Sequence, residues 1–102
     1  MCGIAGVVNF KESVDVNHLH QMMNIIKHRG PDDEGVYVDN NISIGHVRLS
    51  IIDLSKRGHQ PMFSNDNRYV ISFNGEIYNY IELKEELSSE YKFVTSTDTE
   101  VY

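Results

Sequence analysis

The chain contains a single cysteine, so no disulfide can form within it, and a reducing, cytoplasmic setting is the expectation. No apolar run approaches the roughly 20 residues that a membrane span requires. The first residues bring neither a basic stretch nor a long apolar one, so no signal peptide is read. Basic clusters are also missing beyond Lys27-His28-Arg29, in a chain of formal net charge -6. That balance argues against nucleic acid as a partner. Paired cysteines and an HExxH pattern are absent, which leaves no sequence support for a zinc site or any other metal. There is no internal repeat and no low-complexity linker.

What is there fits one soluble domain. Its 102 residues are 40% hydrophobic and 24% charged, ordinary values for a globular chain. "GIAGVV" reads as a buried first strand whose glycines leave room for a neighbouring backbone or a ligand. In the segment after it, Val16, Leu19, Met22, Met23 and Ile26 recur at helical spacing. Asp15 or Asn17 is expected to cap that helix, and Gly30 to end it as a left-handed cap before Pro31. The methionine pair reads as core packing.

"GVYVD" and "ISIGHVRLSII" read as strands around the turn residues "DNN". A long loop, "DLSKRGHQPMFSNDN", follows, and long loops in compact domains are often functional. "RYVISF" reads as a strand, "IYNYIELKEEL" as a helix with Ile77, Tyr80, Ile81 and Leu87 near one face, and "YKFVT" as a short strand. Thr97 and Glu100 have the spacing of a capping box, which predicts a helix start. Short connections and a majority of strands make the fold class α+β.

The cysteine stands at position 2, where chains usually fray. Removal of Met1 would give Cys2 both a thiol and a free α-amine. The amine titrates at about 7.7–8.0 and the thiol at about 8.5, so the amine can take the thiol's proton near neutral pH. The other reading is an idle thiol in a loose terminus. A strand running through "GIAGVV" would pin it. Of the histidines, His18 and His20 are expected to face water, His28 to sit in the last helical turn and His59 in the long loop. His46, inside a strand, is expected to hold a structural hydrogen bond.

A thiolate attacking an amide needs donors for the developing oxyanion. Asn74 and Gly75 offer a side-chain amide and an unobstructed N–H, although "NG" alone is also a turn signal. Arg48 is either on a solvent face or holds a carboxylate with its planar fork. Asp98 either compensates a helix dipole or serves as counter-ion to an ammonium. An arginine, an acid and a nucleophile at the far end suit an α-amino acid.

"MCGIAG", "KHRGPDDEG", "GHVRLSIIDLS", "GHQPM", "FNGEIYNY" and "STDTE", in this order, resemble the class II glutamine amidotransferase domain, and most closely the branch found in glutamine-hydrolysing asparagine synthetases. The resemblance covers residues 1–102. It implies an N-terminal-nucleophile hydrolase fold, an αββα sandwich. It also implies glutamine as the substrate, hydrolysed to glutamate and ammonia, with ATP-dependent amidation of aspartate in a second domain.

Carried over by motif, Cys2 matches the nucleophile and Asn74 with Gly75 the oxyanion hole. Arg48 matches the residue binding the glutamine α-carboxylate, and the backbone of Leu49, Ser50, Ile51 and Ile52 lines the same pocket. Glu76 and Asp98 match the carboxylates around the α-amine, while His28 to Asp32 match a mainly structural motif.

The family's glutaminase domain is roughly twice this long, within the ordinary domain range. The chain is therefore expected to be the first half of the sandwich, with no cofactor of its own. ATP and magnesium would belong to the missing synthetase domain. Its uncovered sheet faces are expected to favour self-association. Two alternatives remain at this level: a glutaminase serving another acceptor, in surface-polysaccharide or secondary-metabolite synthesis, and an inactive binding or structural fragment.

Overall fold

β-branched residues favour extended backbone, and three runs of them form the main sheet in the computed structural model, which describes Met1–Tyr102. β1 (Gly3–Val8), β2 (Asp33–Asp39) and β3 (Ile42–Arg48) pair antiparallel in the order β1-β3-β2. Gly45 of β3 lies opposite Ala5 on one side and Val36 on the other. A turn at Asn40 and Asn41 joins β2 to β3. Asn41 then ties the loop after β1 to this turn, donating from Nδ2 to Asn9 O at 2.7 Å and Glu12 O at 3.1 Å.

α1 (Val16–Ile26) crosses one face of the sheet. Asp15 caps it, its carboxylate accepting from the Asn17 N–H at 2.9 Å. Leu19 and Met23 meet Ala5 and Val47 to form the buried core, with Ile26 packed on its margin. Full burial of a leucine is worth about 1.5–3 kcal/mol. Met22 points partly to solvent, so only one methionine of the pair serves the core.

Several local expectations are revised. β1 is an edge strand, with Ile4, Gly6 and Val8 exposed between covered neighbours, rather than buried on both faces. Gly30 has φ -145° and is no left-handed cap; α1 instead tightens into a 3-10 turn at Lys27–Arg29. Glycine is needed there because a Cβ would run into the Val47 backbone.

β3 stops at Arg48, short of Ile52. Beyond it, side chains take the backbone donors: Asp32 accepts from Ser50 N, and Asp53 from Ser55 N, both at 2.8 Å.

The second half of the chain is built more sparsely. The long loop contains a 3-10 turn (Lys56–Gly58) and β4 (Met62–Phe63), which pairs with β5 (Val70–Ile71). Only two residues of "RYVISF" join that ladder. The Phe73 N–H leaves it for the Gln60 side chain at 2.6 Å. An edge-to-face contact between Tyr37 and Phe63, at 5.7 Å, ties this hairpin to β2.

α2 covers Tyr80–Leu87. Ile81 is exposed, and the helix docks through Lys84 instead. Its ammonium donates to Thr95 O at 2.8 Å and lies over the Tyr80 and Phe93 rings.

"YKFVT" forms no strand. Glu100 explains why: its carboxylate accepts from Val94 N and Thr95 N, each at 2.7 Å. That use also removes Glu100 from the expected capping box. The segment ends in a single 3-10 turn, Thr99–Val101. Helices and antiparallel strands in separate stretches make the fold α+β. No helix is long and apolar enough to cross a membrane.

Candidate active site around Cys2

Antiparallel pairing puts the start of β1 beside the end of β3, with Gly3 opposite Val47. Cys2 therefore lands next to Arg48 and Leu49. The Leu49 N–H points at the Cys2 sulfur at 3.3 Å, and Arg29 Nε donates to the Cys2 carbonyl at 3.0 Å. The terminus is thus held from two sides, and the thiol is half-buried rather than frayed.

A cleft of about 290 Å³ opens at this point. Its walls come from three other segments: the loop after β3, Phe73 to Glu76 beyond β5, and Thr97 to Thr99. Of the residues expected from sequence, Cys2, Arg48, Leu49, Ile51, Ile52, Asn74, Gly75, Glu76 and Asp98 all line it. Ser50 does not; its N–H is turned onto Asp32 instead.

Arg48 is buried, contrary to the solvent-face alternative. Its guanidinium donates to Ser55 O at 3.0 Å and to Asp53 O. The group lies so close to Gly58 that a Cβ there would overlap it, so the glycine admits the planar fork. These bonds occupy two of the five N–H donors that a guanidinium carries.

Asp98 is buried and accepts from Ile77 N through Oδ2 at 2.8 Å. The Asn74 amide and the Glu76 carboxylate make no hydrogen bond or ion pair within the protein. At Gly75 a Cβ would sit 2.6 Å from the Phe73 ring, so only glycine keeps this N–H beside the ring.

His46 is buried beneath the site, with Nδ1 2.9 Å from Ser72 Oγ, and it does not line the cleft. Burial, followed by the nearby Arg48 charge, pushes its pKa down to about 4. It is a neutral structural group at neutral pH, as its strand position implied. Asp53, on the cleft wall, is lowered to about 2 by hydrogen bonds from Ser55 and Ser96.

Sequence reasoning missed Asp53, Gly58, Gln60, Thr97 and Thr99, which also line the cleft. All five stood in the quoted motifs without a role at the site, and they reach it through loop geometry that spacing does not reveal.

The chain matches the family model of the glutamine amidotransferase domain over residues 1–102. It is 49% identical over 106 residues to a glutamine-hydrolysing asparagine synthetase of Bacillus subtilis, a match covering 99% of this chain and 17% of that protein. Asparagine synthetase B of Escherichia coli is 38% identical over 103 residues, covering 99% of this chain and 18% of that one. A Methanocaldococcus jannaschii protein provisionally named as a second asparagine synthetase is 45% identical over 119 residues, covering 99% of this chain and 23% of its own. The chain thus spans less than a quarter of the length of these relatives. With a family match along its whole length, the chain belongs to the glutamine amidotransferase domain family.

Proposed function

We propose that these residues carry the glutamine-hydrolysing site of an asparagine synthetase, with Cys2 as nucleophile. The observation that carries this reading is the shared cleft. The Cys2 thiol, the unengaged Asn74 amide and the carboxylates Glu76 and Asp98 all border one space of amino-acid size.

In this reading, loss of Met1 frees the Cys2 α-amine, which takes the proton of its own thiol. The sulfur attacks the side-chain carbonyl carbon of glutamine. Asn74 and the Gly75 N–H receive the oxyanion. The C–N bond then breaks, and the proton held by the amine leaves with ammonia. Water hydrolyses the resulting thioester, releasing glutamate and restoring the thiol. The remaining N–H donors of Arg48 hold the glutamine α-carboxylate, beside the backbone of Leu49, Ile51 and Ile52. Asp98 and Glu76 hold its α-ammonium.

We infer that the ammonia serves amidation of aspartate, as the names of the longer relatives suggest. The ATP-dependent step and its magnesium belong outside these residues. Asp53, Glu76 and Asp98 give the cleft a charge set hostile to a triphosphate. The chain is read as part of an N-terminal-nucleophile αββα sandwich working in the cytoplasm. Support for the sandwich comes from the sheet face opposite α1, where Ile4 and Val8 stand exposed as if for a second sheet.

A glutamine-mimicking diazo-ketone tests the site in the protein that carries this chain. Mass spectrometry is expected to find one adduct, on a Cys2 that has lost Met1, and excess glutamine should suppress it. A retained Met1, or an adduct on another residue, would overturn the reading.

A further inference from the structure

We propose that Gln60 is a positioning residue that sets the distance between the two ends of the bound substrate. It is buried, and both ends of its amide are used. Oε1 accepts from the Phe73 N–H at 2.6 Å, directly before Asn74 and Gly75. Nε2 donates to Thr99 Oγ1 at 3.2 Å, directly after Asp98. One planar amide therefore spans the segment that offers oxyanion donors and the segment that offers the ammonium partner. These lie far apart along the chain and share no strand ladder.

Gln60 is itself seated firmly. Its carbonyl oxygen lies against Gly35 of β2 so closely that a Cβ on that glycine would overlap it. The preceding His59 is anchored by Asp33, Nδ1 to Oδ2 at 2.6 Å. The main sheet thus fixes Gln60, and Gln60 fixes two walls of the cleft that the sheet does not reach. The two halves of its amide have separable duties. The Phe73 bond governs where Asn74 and Gly75 meet the developing charge. The Thr99 bond governs where Asp98 meets the ground-state substrate. A group acting only in the transition state alters the maximal rate, and one acting on substrate binding alters half-saturation.

The inference rests on the glutamine-site reading, and the test separates the two. The rate of Cys2 labelling by the diazo-ketone is followed against its concentration in the protein carrying this chain, for the native sequence, Gln60→Leu and Thr99→Val. Alkylation by iodoacetamide, which needs neither wall, reports the integrity of the thiol. In Gln60→Leu the maximal labelling rate should fall by about tenfold to a hundredfold, the scale of a small misplacement of reacting groups. Its half-saturation should rise, while iodoacetamide alkylation stays unchanged. Thr99→Val should raise half-saturation alone.

Native labelling without saturation, or without protection by glutamine, would sink the glutamine site itself. Saturable native labelling with Gln60→Leu behaving identically would sink the role of Gln60 only. If Gln60→Leu does not fold, Thr99→Val decides: an unchanged half-saturation, or a lowered maximal rate instead, overturns the proposal.

Discussion

Residues 3–48 bury leucine, methionine and valine against a three-stranded ladder, whereas residues 53–102 bury no large apolar side chain at all. In the second region the buried side chains, Pro61 apart, are polar: Gln60, Thr97, Asp98 and Thr99. The first three make defined side-chain hydrogen bonds, Gln60 to Phe73, Thr97 to Thr95 and Asp98 to Ile77. The first region is held by area and the second by geometry. Apolar packing is non-directional, so it tolerates small shifts. A buried hydrogen bond is lost within a fraction of an ångström, and its orphaned group is costly. The nucleophile and Arg48 hang from the first region, and Asn74, Gly75, Glu76 and Asp98 hang from the second. Holding those residues by directional bonds suits a site that must match one ligand.

Leu19 offers the strongest way to break this contrast. It is fully buried at the centre of the small core. Leu19→Ala should cost about 2–5 kcal/mol, the range for a buried leucine that leaves a cavity. Amide hydrogen exchange would locate the loss. Protection is expected to collapse across Ala5, Val7 and the β3 amides, and to change far less at Thr95 and Ile77. Equal losses in both places would mean that the two regions unfold as one unit.

A pH titration sharpens the contrast next. His46 is fully buried on β3 and linked to Ser72, so it joins the two regions. Burial and Arg48 lower its pKa from 6.5 to about 4, with Asp33 opposing and His59 reinforcing that shift. The folded form is therefore the weaker base. As pH falls below 6.5 the unfolded chain takes up this proton first, and stability drops until about pH 4, where the folded form is protonated as well. The shift corresponds to about 3 kcal/mol. Denaturant unfolding of the native sequence should show this acid-dependent loss on top of that from the carboxylates, and His46→Gln should remove it. Parallel pH profiles for the two would contradict a buried neutral imidazole.

The same contrast explains what could be read from sequence. The apolar spacing of Leu19 and Met23, a cap at Asp15 or Asn17 and the apolar runs of β1 to β3 were legible because area-driven elements leave a trace in period and composition. Cys2, Asn74 and Asp98 were legible through motif order, since each contributes a distinctive group. Gln60, Asp53 and Thr99 stood in the same motifs but their roles were not legible, because a side chain that bonds a partner distant in sequence has no period and no fixed partner spacing. The failed strand at "YKFVT" has the same origin. Its residues have the composition of a strand, but the donors of Val94 and Thr95 go to the Glu100 carboxylate. The capping-box spacing of Thr97 and Glu100 misled for the mirror reason, as the acid reaches back past Thr97 to the preceding segment.

Glu100 carries the smallest of these effects and the sharpest test of a region held by geometry. Its carboxylate accepts from Val94 N, Thr95 N and the Thr95 hydroxyl, and lies 3.9 Å from Lys84 Nζ. The ion pair is largely covered, but its length makes the hydrogen bonds the main contribution. Glu100→Gln keeps one acceptor oxygen and should cost about 1 kcal/mol, the worth of one weakened charge-assisted bond. Glu100→Ala strips every acceptor and should cost about 1–3 kcal/mol, the penalty for donors left without partners. The ranking matters more than either value. In a region held by area, loss of the long stem would dominate, and Gln and Ala would be separated by packing alone. In one held by directional bonds, Glu100→Gln should preserve the slow exchange of Thr95 while speeding that of Val94, or the reverse, because a single oxygen remains for two amides. Both amides speeding equally in Glu100→Gln would show that the carboxylate acts through its charge rather than through its geometry.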